Sequence, residues 1–148
     1  MNRTPKVKIG IVVSDFNKEI TFSLLKCTLE ELHLLNVAQK NILVWHVPGA
    51  YELPYTALDM AKRKKVDAVI CLGCVLKGET DHDVHIANWV SLGIGLASFM
   101  THVPILFGVL TPKTLLQAKQ RSRSGPLNRG KDVAQTAVQM AQLKKRGG

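Results

Sequence analysis

A single α/β domain, with a four-stranded parallel sheet and helices on both of its faces, is the fold class this sequence predicts. Four apolar, β-branched runs of strand length recur along the chain, and none alternates cleanly between apolar and polar residues. That is the pattern of strands covered on both faces. Between the runs lie stretches of helix length with apolar residues at helical spacing, joined by short links. At 148 residues the chain has the length of one domain. The domain is expected to span residues 1–148, with 1–7 as an N-terminal arm and 144–148 as a basic tail.

The expected strands are Val7–Val13, Asn41–His46, Ala68–Val75 and Val103–Leu110. The first helix, Ile20–Leu35, puts Ile20, Leu24, Leu25, Leu29, Leu32 and Leu35 on one stripe, with Lys18, Glu30 and Glu31 opposite. Tyr51–Lys65 carries Leu53, Ala57, Leu58 and Ala61 at helical spacing and ends in the basic run Lys62–Lys65, which suits the negative end of a helix dipole. Asp83–Met100 has Ile86, Val90, Ile94 and Ala97, and its Gly93 and Gly95 allow close packing. Thr111-Pro112 opens a fourth helix, with Thr as cap and Pro at the first position, ending near Ser122. A Ser-, Gly- and Pro-containing loop, Ser122–Gly130, leads to a last helix over Lys131–Lys145.

Composition excludes several classes. Hydrophobic residues make up 46% and charged residues 21%, ordinary globular usage that rules out global disorder. No unbroken apolar run reaches the roughly 18 residues of a membrane span. No signal-peptide pattern follows the N-terminus, so a cytoplasmic location and no membrane partner are expected. Three cysteines, Cys27, Cys71 and Cys74, do not make a disulfide framework. Cys71 and Cys74 spell C-x-x-C but lie in a run that reads as a buried strand, and without a second such pair a zinc ribbon is excluded. The net charge is +9, and between Lys119 and Gly148 eight basic residues face Asp132 alone. Such a bias fits nucleic acid, an anionic substrate or a solvated face.

In an open parallel sheet, ligands sit at the carboxyl ends of the strands. The first strand ends in Ser14-Asp15-Phe16-Asn17, where Phe16 is either a stacking platform for a flat heterocycle or a staple onto the next helix. The second ends in Val47-Pro48-Gly49-Ala50-Tyr51-Glu52, a turn exposing backbone amides. Glu52 there either accepts hydrogen bonds from a ligand or complements the helix dipole. After the third strand comes Lys77-Gly78-Glu79-Thr80-Asp81-His82-Asp83. The turn before the helix is a natural anion nest, and His82 in the first helical turn is suited to carrying protons. Asp81 and Asp83 favour the charged imidazole, whereas the helix N-terminus opposes it. A metal site from His82, His85 and an aspartate is the competing reading. Thr111 follows the fourth strand, and one helix later Arg121 offers a two-pronged phosphate clamp or a solvated helix residue.

Taken together, these segments resemble the lumazine synthase family. The resemblance runs from about Lys8 to Leu143 and rests on five ordered stretches. These are Ser14–Asn17, Pro48–Pro54, Gly73–Thr80 with His82, Phe107–Thr111 and Gln117–Arg121. It implies a flavodoxin-like three-layer sandwich. It also implies homopentamers, in many members built into sixty-subunit shells and accompanied by riboflavin synthase, with sites between neighbouring subunits. The implied reaction joins 5-amino-6-(D-ribitylamino)uracil to 3,4-dihydroxy-2-butanone 4-phosphate, with no metal and no cofactor. By the same resemblance Phe16 stacks on the pyrimidine, Ala50, Tyr51 and Glu52 hold the ribityl chain, and Cys74, Val75 and Leu76 line the ring pocket. Glu79 and Thr80 lie on the butanone phosphate, His82 is the acid/base, and Phe107 and Arg121 come from the neighbouring subunit. Three departures stand out. Asp83-Val84 follows His82 where the family has an aromatic and then Asp, Asp81 replaces Pro or Thr, and Pro126-Leu127 stands where a Gly precedes the Asn.

Two rivals come from other classes. A nucleic-acid binder would use the basic C-terminal third, but that third holds no aromatic residue for base stacking, so nucleic acid is not an expected partner. A flavin binder that kept the fold and lost the chemistry has no need of His82 or Arg121.

Overall fold

The computed structural model describes residues 6–147; residues 1–5 of the expected N-terminal arm and Gly148 lie outside the described residues. Four strands, β1 (Ile9–Ser14), β2 (Ile42–Val47), β3 (Ala68–Cys74) and β4 (Ile105–Leu110), form one sheet in the order β2-β1-β3-β4. All neighbouring pairs are parallel, with Val12 beside both Trp45 and Cys71, and Cys71 beside Phe107. The connecting helices are α1 (Lys18–Leu34), α2 (Leu53–Arg63), α3 (His82–Thr101), α4 (Leu115–Ser122) and α5 (Arg129–Arg146).

Alternation along the strands divides the core in two. Ile9, Ile11, Val13, Ile70 and Leu72 point to one face, where α1 and α5 cover them with Ile20, Leu24, Leu32, Val133 and Ala137. Val12, Val69, Cys71 and Val109 point to the other, beneath Leu53, Ala57 and Met60 of α2 and Val90, Ile94 and Ala97 of α3. Each fully buried aliphatic side chain contributes about 1.5–3 kcal/mol, which is why both faces need a helical cover. Cys71 and Cys74 fall in opposite layers, so the C-x-x-C pair cannot meet; both thiols are free and buried.

Several boundaries differ from the sequence expectation. A short 3₁₀ turn, Gln39–Asn41, precedes β2, and another, Ala50–Glu52, precedes α2. α2 stops at Arg63 because Lys64 turns extended, at φ −110° and ψ 145°. The Thr111-Pro112 pair does not open α4. It stays outside the helix, with the Pro112 carbonyl accepting from Lys77 N–H at 3.3 Å, and Thr114 is the cap, its hydroxyl accepting from Gln117 N–H at 3.2 Å. Asn128 caps α5 by accepting from Lys131 N–H at 3.3 Å. Lys144, Lys145 and Arg146 are the last turn of α5, so those three residues of the expected basic tail are helical and complement its dipole.

Gly93 fulfils its expected role, since a Cβ there would sit 2.7 Å from Pro54 Cβ, so only glycine lets α3 lie this close to α2. Gly95 does not: it faces open space.

Helix α3 also corrects the hydropathy reading. At 20 residues and mean hydropathy 1.3, it is long and apolar enough to cross a membrane by length and composition. His82, Asp83, His85 and Asn88 crowd its first two turns and Ser91 and Ser98 interrupt the rest, so no unbroken apolar run announces it in the sequence. Only 22% of it is buried within the fold. Val84, Trp89, Leu92, Leu96, Phe99 and Met100 are exposed on its outer surface.

Candidate active site

The strand order reverses direction between β1 and β3, and in such sheets the crevice above that point is where ligands bind. Three turns build its walls. After β1, Asp15 N–H donates to the Val47 carbonyl at 2.8 Å and Phe16 N–H to the Pro48 carbonyl at 3.0 Å, tying the first turn to the second. Asn17, in the left-handed conformation at φ 63°, donates through Nδ2 to the Cys74 carbonyl at 3.1 Å, bridging the ends of β1 and β3. These ties hold Phe16 outward at 71% exposure, so it does not act as a staple closed down on α1.

The second turn is held by Glu52, whose Oε2 accepts from Gly49 N–H at 3.1 Å. That amide, expected to be free, is therefore satisfied internally. Tyr51 stacks at a tilt of 33° on Trp89 of α3, with ring centroids 5.6 Å apart, and its carbonyl accepts from Trp89 Nε1 at 3.1 Å. In the third turn, His82 N–H donates to Thr80 Oγ1 and Gly78 N–H donates to Asp83 Oδ1, both at 3.3 Å. His82 is the first residue of α3.

Between these turns lies a cavity of about 460 Å³. Phe16, Ala50, Tyr51, Cys74, Val75 and Leu76 line it, and His82 stands at its wall with Lys77 and Asp83. Burial pushes the Cys74 thiol up to about 11 and the Cys71 thiol up further still, so both are neutral and inert as nucleophiles near pH 7. Glu52, Glu79 and Thr80 are exposed and do not line this cavity. Among the described residues, no three His, Cys, Asp or Glu side chains stand close enough together to hold a metal ion.

Phe107 and Arg121 lie elsewhere, in a second cavity of about 540 Å³ beyond the end of β4. Its cations are Lys113, Arg121 and Arg129, against Asp132, which Arg129 approaches at 3.8 Å. Arg121 Nη1 donates to the Gln117 carbonyl one turn back at 3.4 Å, and among the described residues the rest of its guanidinium fork makes no other hydrogen bond or ion pair. The first cavity thus offers an aromatic face and an imidazole, and the second a phenyl ring and a cationic cluster. Across known protein families, the 6,7-dimethyl-8-ribityllumazine synthase family matches residues 6–145.

The chain belongs to this family.

Lumazine synthases are transferases that make 6,7-dimethyl-8-ribityllumazine, and the parallel four-stranded sheet with flanking helices is the flavodoxin-like fold of that family. The chain is accordingly an enzyme of riboflavin biosynthesis acting on small molecules. Of the residues the sequence pointed to in this lumazine synthase chain, Phe16, Ala50, Tyr51, Cys74, Val75, Leu76 and His82 share one cavity, while Phe107 and Arg121 share the other. Several lining residues were given no role from the sequence, among them Asn17, Lys77 and Ile86 in the first cavity and Lys113 and Arg129 in the second. Arg129 had a usable signal, as a cation at the first position of a capped helix. Ile86 had none, because at helical spacing it reads as core.

Proposed function

We propose that the chain condenses 5-amino-6-(D-ribitylamino)uracil with 3,4-dihydroxy-2-butanone 4-phosphate, giving 6,7-dimethyl-8-ribityllumazine, inorganic phosphate and two waters, at sites shared between neighbouring subunits of a pentamer. The observation that carries the reading is the partition of chemistry between the two cavities. The apolar one has the platform and the imidazole but no arginine, and the cationic one has Arg121 and Phe107 but no histidine. Each is half of what the reaction needs. Both open at the carboxyl edge of the sheet, and the exposed apolar face of α3 offers a surface for a second copy to cover.

In this reading Phe16 stacks on the pyrimidine, while Ala50, Tyr51 and Glu52 hold the ribityl chain. The 5-amino group adds to the butanone carbonyl, and the carbinolamine loses water as His82 delivers a proton to the departing hydroxyl. Elimination then expels phosphate, whose growing charge is met by Arg121 of the adjoining subunit and by the turn carrying Glu79 and Thr80. Loss of phosphate together with the neighbouring C–H proton leaves an enol, which tautomerises to a new carbonyl, and ring closure of the ribityl-bearing nitrogen on that carbonyl releases the second water. Much of the acceleration comes from holding the two substrates together. Mixing both substrates with the protein and following lumazine fluorescence alongside phosphate release tests the reading. One phosphate per lumazine is expected, and no lumazine from folded protein would overturn it.

A further inference from the structure

Resting on the proposed reaction, and going beyond it, is an inference about Asp83. The turn between β3 and α3 should offer its backbone amides to the substrate phosphate, yet the Gly78 N–H already points at Asp83 Oδ1, 3.3 Å away. Asp83 belongs to the second position of α3, so its carboxylate reaches back five residues and closes the loop from within. Gly78, His82 and Asp83 all line the same cavity. We propose that Asp83 is a built-in counterfeit of the phosphate: a specificity-determining carboxylate that occupies the anion nest and keeps its grip on inorganic phosphate weak.

The physical reasoning starts from charge. A helix N-terminus with unpaired amides favours an anion, and a carboxylate one turn away satisfies the same demand. One N–H cannot serve two anions at full strength, and two like charges a few ångströms apart repel. Glu79 and Asp81 also flank the nest, but they are exposed and neither accepts from Gly78; Lys77 is the cation nearest in the chain, and it lines the cavity. A phosphate arriving there must displace Asp83 from Gly78 or share the nest with it. A substrate tethered by its carbon chain and by Arg121 can do so. Free inorganic phosphate, the product, has only the nest and the guanidinium, so it feels the competition most and leaves.

Asp83→Asn keeps the shape and the acceptor while deleting the charge; Asp83→Ala frees the amide as well. Inorganic phosphate is the probe, read by calorimetry in a phosphate-free buffer and by its inhibition constant against butanone phosphate. Phosphate is expected to bind about fivefold tighter to Asp83→Asn and about tenfold or more tighter to Asp83→Ala, as removal of a nearby like charge predicts. Asp81→Asn deletes a charge in the same turn that accepts no hydrogen bond from Gly78 N–H, and its effect should be smaller than either. If Asp83→Ala fails to fold, sedimentation shows it and Asp83→Asn carries the test. Phosphate binding that is unchanged, weaker or no tighter than in Asp81→Asn overturns the inference, since a purely structural cap can only lose affinity when removed. A wild-type protein that makes no lumazine sinks the proposed reaction instead, and calorimetry still decides whether Asp83 opposes phosphate.

Discussion

If each reaction chamber draws His82 from one subunit and Arg121 from its neighbour, two inactive variants should rescue one another. His82→Ala removes the proton carrier from the first cavity, and Arg121→Ala removes the clamp from the second. Loss of a general acid/base costs about 10²–10⁴-fold. Losing a preorganised charge at the departing phosphate costs about 10²–10³-fold, so each parent assembly is nearly silent. Neither side chain is buried in the core, so both variants should fold. When the two are unfolded, mixed in equal amounts and refolded, a chamber works only if its His82 side comes from an Arg121→Ala chain and its Arg121 side from a His82→Ala chain. In a cyclic assembly with head-to-tail contacts and random mixing, about one chamber in four meets that condition. The mixture should therefore recover about one quarter of wild-type lumazine formation, far above either parent. The assay is initial-rate fluorescence, with sedimentation confirming that the mixed assemblies match the wild type in size. A mixture no more active than the average of its parents would refute the shared-chamber reading, because a site contained in one chain gains nothing from mixing.

Three further outcomes are expected. Gly93→Ala places a methyl against Pro54, and overpacking of this kind destabilises by about 1–3 kcal/mol; denaturant titration should show a lower midpoint at an unchanged slope. Cys74 has its thiol raised from 9.0 to about 11 in the folded chain, so the unfolded state loses its proton first. Its contribution to stability is fully present below about pH 9 and declines as the pH rises toward 11, and Cys74→Ala should flatten part of that decline in pH-dependent melting. Asn17→Ala loses the bond to the Cys74 carbonyl and strains a left-handed backbone, whereas Asn17→Gly loses only the bond. The alanine variant should be the less stable of the two by about 1 kcal/mol in the same titration, and equal midpoints would remove backbone strain from the account.

Buried parallel strands announce themselves because both of their faces are apolar, and the four runs matched β1 to β4 to within two residues at each end. Helix starts were less legible. Thr111-Pro112 mimics a helix opening, but the Lys77 amide holds the Pro112 carbonyl, a contact across 35 residues that local sequence does not reveal. The Thr114-x-x-Gln117 signature was there to be read: the Thr114 hydroxyl accepts from Gln117 N–H, and Gln117 Oε1 accepts from Lys113 N–H at 2.9 Å. In the site, residue types at strand ends were legible because topology fixes where strands end. Their grouping was not. That Phe107 and Arg121 lie in a separate cavity from His82 depends on how far β4 and α4 stand from the β1–β3 crevice. That Gly78 is already engaged by Asp83 depends on one side-chain rotation, about which spacing says nothing.

The outer surface of α3 has a bearing on the life of the chain before it acts. Trp89, Leu92, Leu96, Phe99 and Met100 face water on a lone folded copy, a greasy flank on a helix that is otherwise well anchored. Freshly synthesised copies are therefore adhesive, and how well they are kept dispersed governs the yield of usable protein. Charge substitutions on that flank should reduce this stickiness and improve recovery of soluble material, and, if the proposed pentamer forms through it, leave stranded single copies.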